Sequence, residues 1–262
     1  MTAATRWAEG LAAWAIPDEI LSAAPESPWG FPAGVFAAAA SDTLGEPLTV
    51  SHERAMEALP ERGAILDVGA GAGAMSLPLT GRASRLIAVD ASAAMLSELR
   101  TLSAGQTDVD TVEGRWPDIA PEVERADVVV CGHVAYNVAD LDQFVIELTN
   151  HALHRVVLEL TATHPQSPLS PLWEHFWSID RPTEPTATTA IEVIEEATGM
   201  RVSSQRWQRR APTSGRTDAE TVAWARRRLC LPSTADEEIA VLLGPHPRLA
   251  PAEVVTVWWP AG

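Results

Sequence analysis

Residues 65–79 read ILDVGAGAGAMSLPL, and no other stretch limits the fold of this 262-residue chain so tightly. Ile65, Leu66 and Val68 are apolar and strand-forming, Gly69, Gly71 and Gly73 follow at alternate positions, and helix-tolerant residues resume at Ala74. The pattern is that of a strand, a tight glycine turn and a helix. Glycine lets a ligand approach the backbone because no Cβ stands in the way, and a helix start leaves N–H groups facing the turn. Asp67 sharpens this reading. A carboxylate at the strand end repels a pyrophosphate brought to the same turn and suits a ligand carrying an ammonium or sulfonium group. A glycine turn without a ligand is the plainer alternative, set against what glycine costs in regular structure.

The rest of the chain alternates strand and helix. A helix over 48–59 precedes the first strand, and a crossover helix runs from the glycine turn to about residue 80. Strands follow at 85–90, 109–113, 126–131 and 155–160, with helices at 93–101 and 141–153 between them. A helix at 189–198 stops at Gly199, a strand spans 201–209, helices span 218–230 and 235–243, and the last strand is 254–259. This order predicts an α/β fold of three layers, a mostly parallel sheet with an antiparallel last strand. Residues 1–50 carry Trp7, Trp14, Trp29, Phe31 and Phe36 among Pro17, Pro25, Pro28 and Pro32, which marks a helical cap packed on the core or a lid over a ligand. Residues 51–262 then form one domain with inserts near 164–188 and 211–245.

The run Asp67-Val-Gly69-Ala-Gly71-Ala-Gly73 resembles the first motif of the class I, Rossmann-like S-adenosylmethionine-dependent methyltransferases. The resemblance covers roughly residues 50 to 210 and the final strand. It implies S-adenosylmethionine as cofactor, held at Asp67 and the glycines. Asp90, 19 positions after Gly71, would bind the adenosyl ribose with Ala91 and Met95 beside it, although an Asp there can equally cap the next helix. After the third strand the family commonly shows Gly-Asp-Ala, where this chain has Gly114-Arg115-Trp116. Arg115 cannot accept the adenine hydrogen bond, so Trp116 stacking or a backbone carbonyl would replace it, unless the segment is merely a surface loop. The resemblance places Gly132 and His133 at the methionine end of the cofactor and His133, Tyr136 and Asn137 nearest the methyl group. His133 is the first candidate general base and His164 the second, while Trp173 and Trp177 are candidates for the acceptor pocket.

The formal net charge is −16, with 19 basic residues that are all arginine, which disfavours nucleic acid and anionic membranes as partners. Arg226, Arg227 and Arg228 are the best basic patch and read as a solvated helix face. Two cysteines, Cys131 and Cys230, give neither a disulfide framework nor a metal site, so a reducing cytoplasm is expected. The apolar patch 10–16 is too short for a membrane span and lacks the flanks of a signal peptide. The expectation is methyl transfer to a small molecule. An NAD-dependent oxidoreductase remains open because Gly69, Gly71 and Ala74 also satisfy the dinucleotide pattern, and a non-catalytic S-adenosylmethionine-binding module is the third possibility.

Overall fold

A computed structural model describes residues 1–29, 44, 46–105, 107–209, 218–245 and 251–261. Phe31, Pro32 and Phe36 lie outside the described residues. Seven strands form one sheet: β1 (Ala64–Val68), β2 (Arg85–Asp90), β3 (Asp108–Glu113), β4 (Ala126–Gly132), β5 (Ala152–Thr161), β6 (Ser203–Gln208) and β7 (Glu253–Pro260). They are ordered β3-β2-β1-β4-β5-β7-β6, and β7 runs antiparallel to both of its neighbours. The chain reverses strand order between β1 and β4, so the carboxyl ends of those two strands open a crevice. The Val128-Val129-Val130-Cys131 run is completely buried because helices cover β4 on both faces.

Alternate strand residues feed two apolar layers. Leu66, Val68, Val129, Cys131, Val156 and Leu158 face α1 (Ala3–Ala13), α5 (Leu141–His151) and α7 (Ala187–Thr198). On the opposite face Ile65, Leu86, Val128, Val130 and Val157 meet α3 (Val50–Ala58) and α4 (Ala93–Leu102). A third cluster joins Ile20 of α2 (Asp18–Ala23), Leu172 and Trp173 of α6 (Ser170–Trp177), Val222 and Ala225 of α8 (Asp218–Arg228) and Ile239 of α9 (Asp236–Leu243). The segments around 164–188 and 218–245 thus share a small core with the N-terminal segment. Arg181 ties this core to the cap: its guanidinium lies 5.0 Å from the ring centres of both Trp14 and Trp173 and donates to the carbonyls of Trp14 and Ala15.

Two sequence expectations need correction. The crossover after β1 is not an α-helix. It is a series of turns closing in a short 3-10 turn at Leu77–Leu79. Pro78 is the physical reason, since it offers no N–H and its ring would crowd the carbonyl four residues earlier. The arginine run is not a solvated face either. Arg226 pairs with Glu26 at 3.4 Å and Asp236 at 3.2 Å, and Arg228, 5% exposed, lies over the Trp224 and Trp29 rings.

Candidate active site

The glycine turn follows directly from β1, and each of its glycines has a positive φ, at 69°, 53° and 93°. At Gly69 a Cβ would collide with Val134 Cγ2 at 2.2 Å, and at Gly73 it would meet Leu77 Cγ at 2.6 Å, so these two glycines serve close packing. Gly71 is different. A Cβ there would meet no atom of the described residues within 4 Å. The turn is held by Asp90 at the end of β2, whose carboxylate accepts from the N–H of Gly71 at 2.8 Å and of Ser92 at 2.8 Å. The helix cap proper is Ser92, which accepts from Met95 N–H, so Asp90 is not the N-cap. Asp90 keeps further lone pairs for a hydroxyl donor. Met95 is half-buried on the first turn of α4, and Ala91 is exposed.

Asp67 is the decisive group. Its side chain is completely buried beside the turn, and among the described residues no basic group pairs with it and only the Ser76 hydroxyl lies near enough to act on it. Burial pushes it up to about 7; the neighbouring Ser76 hydroxyl opposes this and the Asp90 charge adds to it. Leaving a buried carboxylate unpaired costs several kcal/mol, on the order of what an isolated buried charge demands. A cation carried by a ligand in the turn removes that penalty. The residues present therefore fit a ligand carrying a sulfonium or ammonium group, with Asp90 keeping lone pairs for a hydroxyl donor beside the turn.

At the end of β4, Gly132 is held against Met75, whose Cγ would lie 2.4 Å from an added Cβ. His133 follows in the left-handed conformation, with φ 60°. It is fixed twice to Glu159 of β5: its backbone N–H donates to the Glu159 carbonyl at 2.8 Å, and its Nε2 lies 2.8 Å from the Glu159 carboxylate. Glu159 is 6% exposed, yet it stays ionised. Burial alone would raise it, but the hydrogen bond and charge of His133, the Ser51 hydroxyl and the Arg209 charge hold it at about 2. Arg209, just past β6, also contacts the imidazole and Glu159.

Sequence reasoning passed over Glu159, Arg209, Ser51 and His52. His52 Nδ1 accepts from Thr49 N–H at 3.1 Å, which leaves Nε2–H to donate to the Ala74 carbonyl at 3.1 Å. It staples the turn to α3, and burial lowers its basicity, keeping it neutral. The Thr49-x-x-His52 spacing was a readable capping signal. Glu159 carried a weaker one, a lone carboxylate in an otherwise apolar strand.

The other expected residues sit elsewhere. Trp116 is 6% exposed in the core, its indole N–H 3.4 Å from the Phe144 carbonyl, while Arg115 is exposed. Tyr136 is buried, stacked on Trp7, and donates to the Thr161 carbonyl; burial raises its phenol well above the usual range. Asn137 is exposed. His164 lies flat on Trp14 at 3.9 Å, and its Nδ1 accepts from Gln166 N–H. Burial and the Arg181 charge lower it to about 4, so it is neutral near pH 7. Trp173 is fully buried, and Trp177 donates to the Leu229 carbonyl at 2.8 Å. His133 and Glu159 are thus brought together; His164, Trp173 and Trp177 belong to the packing of the cap and insert. Among the described residues no group of His, Cys, Asp and Glu is arranged to hold a metal ion.

Residues 66–154, from within β1 to the start of β5, match the methyltransferase domain family. Those residues carry the match to a methyltransferase domain, and methyl transfer is the activity it indicates. The donor implied by that family is S-adenosylmethionine, and the family leaves the acceptor open. No curated protein matches the chain. Among solved structures, it is similar to a cyclopropane-fatty-acyl-phospholipid synthase-like protein from Lactobacillus casei, with TM-score 0.56, 15% identity, and 93% of this chain and 98% of that chain covered. A plantazolicin methyltransferase in complex with SAH gives TM-score 0.53 at 14% identity, covering 98% of this chain and 99% of that one. Magnesium protoporphyrin IX methyltransferase from Synechocystis, with bound SAH, gives TM-score 0.51 at 13% identity, covering 84% and 91%. At such identities the likeness is one of fold.

Proposed function

We propose that this methyltransferase binds S-adenosylmethionine at the glycine turn and passes its methyl group to a small-molecule acceptor. The observation that carries the reading is the completely buried Asp67, with which no basic group pairs among the described residues, beside a turn where a Cβ on Gly71 would meet none of their atoms. The donor supplies an electrophilic methyl on a positively charged sulfur. The chain's residues do the rest: Asp67 offers the opposing charge, Asp90 shapes the turn and accepts from ribose hydroxyls, and the backbone at Gly132 and His133 borders the methionine end. Two of the structural relatives are named for small-molecule acceptors, and the net charge of −16 argues against a polyanionic one.

The N-terminal segment acts as a cap on this domain. Trp7 donates to the Val138 carbonyl and Trp14 to the Glu184 carbonyl, each at 2.8 Å, so α1 is pinned beside the β4 loop. The two cysteines are free and buried, in keeping with a cytoplasmic setting, and among the described residues no helix is long and apolar enough to cross a membrane. The test is incubation of the full chain with S-adenosylmethionine and a panel of phenolic, enolic, amine and carboxylate acceptors, read by mass spectrometry. A methylated product is expected. Tight binding of the donor with no methylated product across the panel would favour a non-catalytic binding module instead.

A further inference from the structure

The pairing of His133 with Glu159 deepens the proposed function and rests on it. We propose that Glu159 is a positioning residue that fixes the His133 imidazole with its proton on Nε2 and its lone pair on Nδ1, ready to take a proton from an acceptor O–H. The acceptor class is then a hydroxyl compound, phenolic or enolic, in preference to an amine or thiolate already carrying a free pair. The pair from the acceptor O–H bond becomes the new O–C bond, the S–C pair stays on sulfur, and the proton ends on Nδ1 of His133.

Three observations support this. His133 adopts a left-handed backbone that a β-carbon disfavours, so its placement is enforced by its surroundings. The enforcing residue is Glu159, whose backbone carbonyl and side chain both hold His133 at 2.8 Å. Glu159 sits opposite Gly132 in the β4–β5 register, so a carboxylate in the middle of the sheet is carried to the carboxyl end of β4, where the acceptor must approach.

The tautomer follows from what each neighbour can do. Arg209 contacts Nε2 and lies 3.4 Å from Nδ1, but a guanidinium only donates and Glu159 only accepts. Nε2 serves one of them. Glu159 is buried and ionised, and depriving it of a donor forfeits a charge-assisted bond, whereas Arg209 is 35% exposed and can turn to water. Nε2–H therefore goes to Glu159. Among the described residues, the charged groups in contact with the imidazole are Glu159 from β5, an anion, and Arg209 beyond β6, a cation; His52 from α3 senses the Glu159 charge.

The test is nitrogen-15 NMR of the His133 ring in the full chain and in Glu159→Gln, with Glu159→Asp as a second variant should the first fold poorly. The wild type is expected to show a protonated Nε2 and a bare Nδ1. In Glu159→Gln the amide can accept or donate, so the Nε2 proton is no longer enforced and the Nδ1-protonated tautomer should become populated. The thermal midpoint should fall, because the buried anion that His133 and Arg209 share is lost. A proton on Nδ1 in the wild type, or the same tautomer in both proteins, would overturn the proposal. Calorimetry showing that the wild type does not bind S-adenosylmethionine would instead remove the underlying methyl-transfer reading, whatever the ring nitrogens show.

Discussion

Replacing Asp67 with Asn keeps the shape of the side chain and deletes its charge, and the consequence can be worked from the structure. The carboxyl is completely buried and its titration rises from 3.8 to about 7. That gap of about three pH units, at about 1.4 kcal/mol each, makes ionised Asp67 a burden of at most about 4 kcal/mol in the free protein. The unfolded chain ionises near pH 4 and the folded one near pH 7. The stability contributed by the protonated form is full below pH 4, falls as pH rises, and is gone above pH 7. The Asn variant escapes this loss. Without ligand it should equal the wild type near pH 4 and exceed it at pH 8 by up to about 4 kcal/mol, measured by urea unfolding. S-adenosylmethionine should reverse the order, because its cation pairs with ionised Asp67 and has no partner in Asn. The reasoning is refuted if the ligand-free Asn variant is the less stable protein at pH 8, or if it binds S-adenosylmethionine as tightly as the wild type.

The glycines should separate by what stands over them. Gly69→Ala must displace Val134 and should cost on the order of 3 kcal/mol in urea unfolding. Gly71→Ala meets no atom of the described residues and should cost only about 1–2 kcal/mol for its φ, yet weaken S-adenosylmethionine at least tenfold by calorimetry. Asp90→Ala releases two backbone N–H groups and should weaken the same ligand by about 1–3 kcal/mol; an unchanged affinity would reject its role. His164, lowered from 6.5 to about 4, favours the fold when neutral, so its contribution is present above pH 6.5 and lost as pH falls to about 4. The loss should be about 3 kcal/mol, and His164→Phe should flatten urea midpoints over that window.

The sheet was legible because its signals are local. Apolar runs such as residues 128–131 announce buried strands, and Gly199, with φ 66°, ends α7 where a glycine stop was expected. The first crossover misled because its apolar spacing fits a helix while a single Pro78 breaks one. Asp67 and Asp90 stood out because motif and spacing fix them to strand ends. The Glu159–His133 pair did not, since its members are separated by a whole helix and only the parallel register of β4 with β5 brings them together. The aromatic residues misled for a related reason. A Trp in a cap or insert reads the same whether it lines a cavity or, like Trp173 under Arg181, fills a core.

Calorimetric titration of the full chain at pH 8, with S-adenosylmethionine and separately with NAD, tests the central claim most directly. Saturable binding of the sulfonium compound, lost in Asp67→Asn, and no binding of the dinucleotide is the predicted result. Binding of NAD with no heat from S-adenosylmethionine would contradict it, because the turn beside the buried carboxylate would then hold a pyrophosphate.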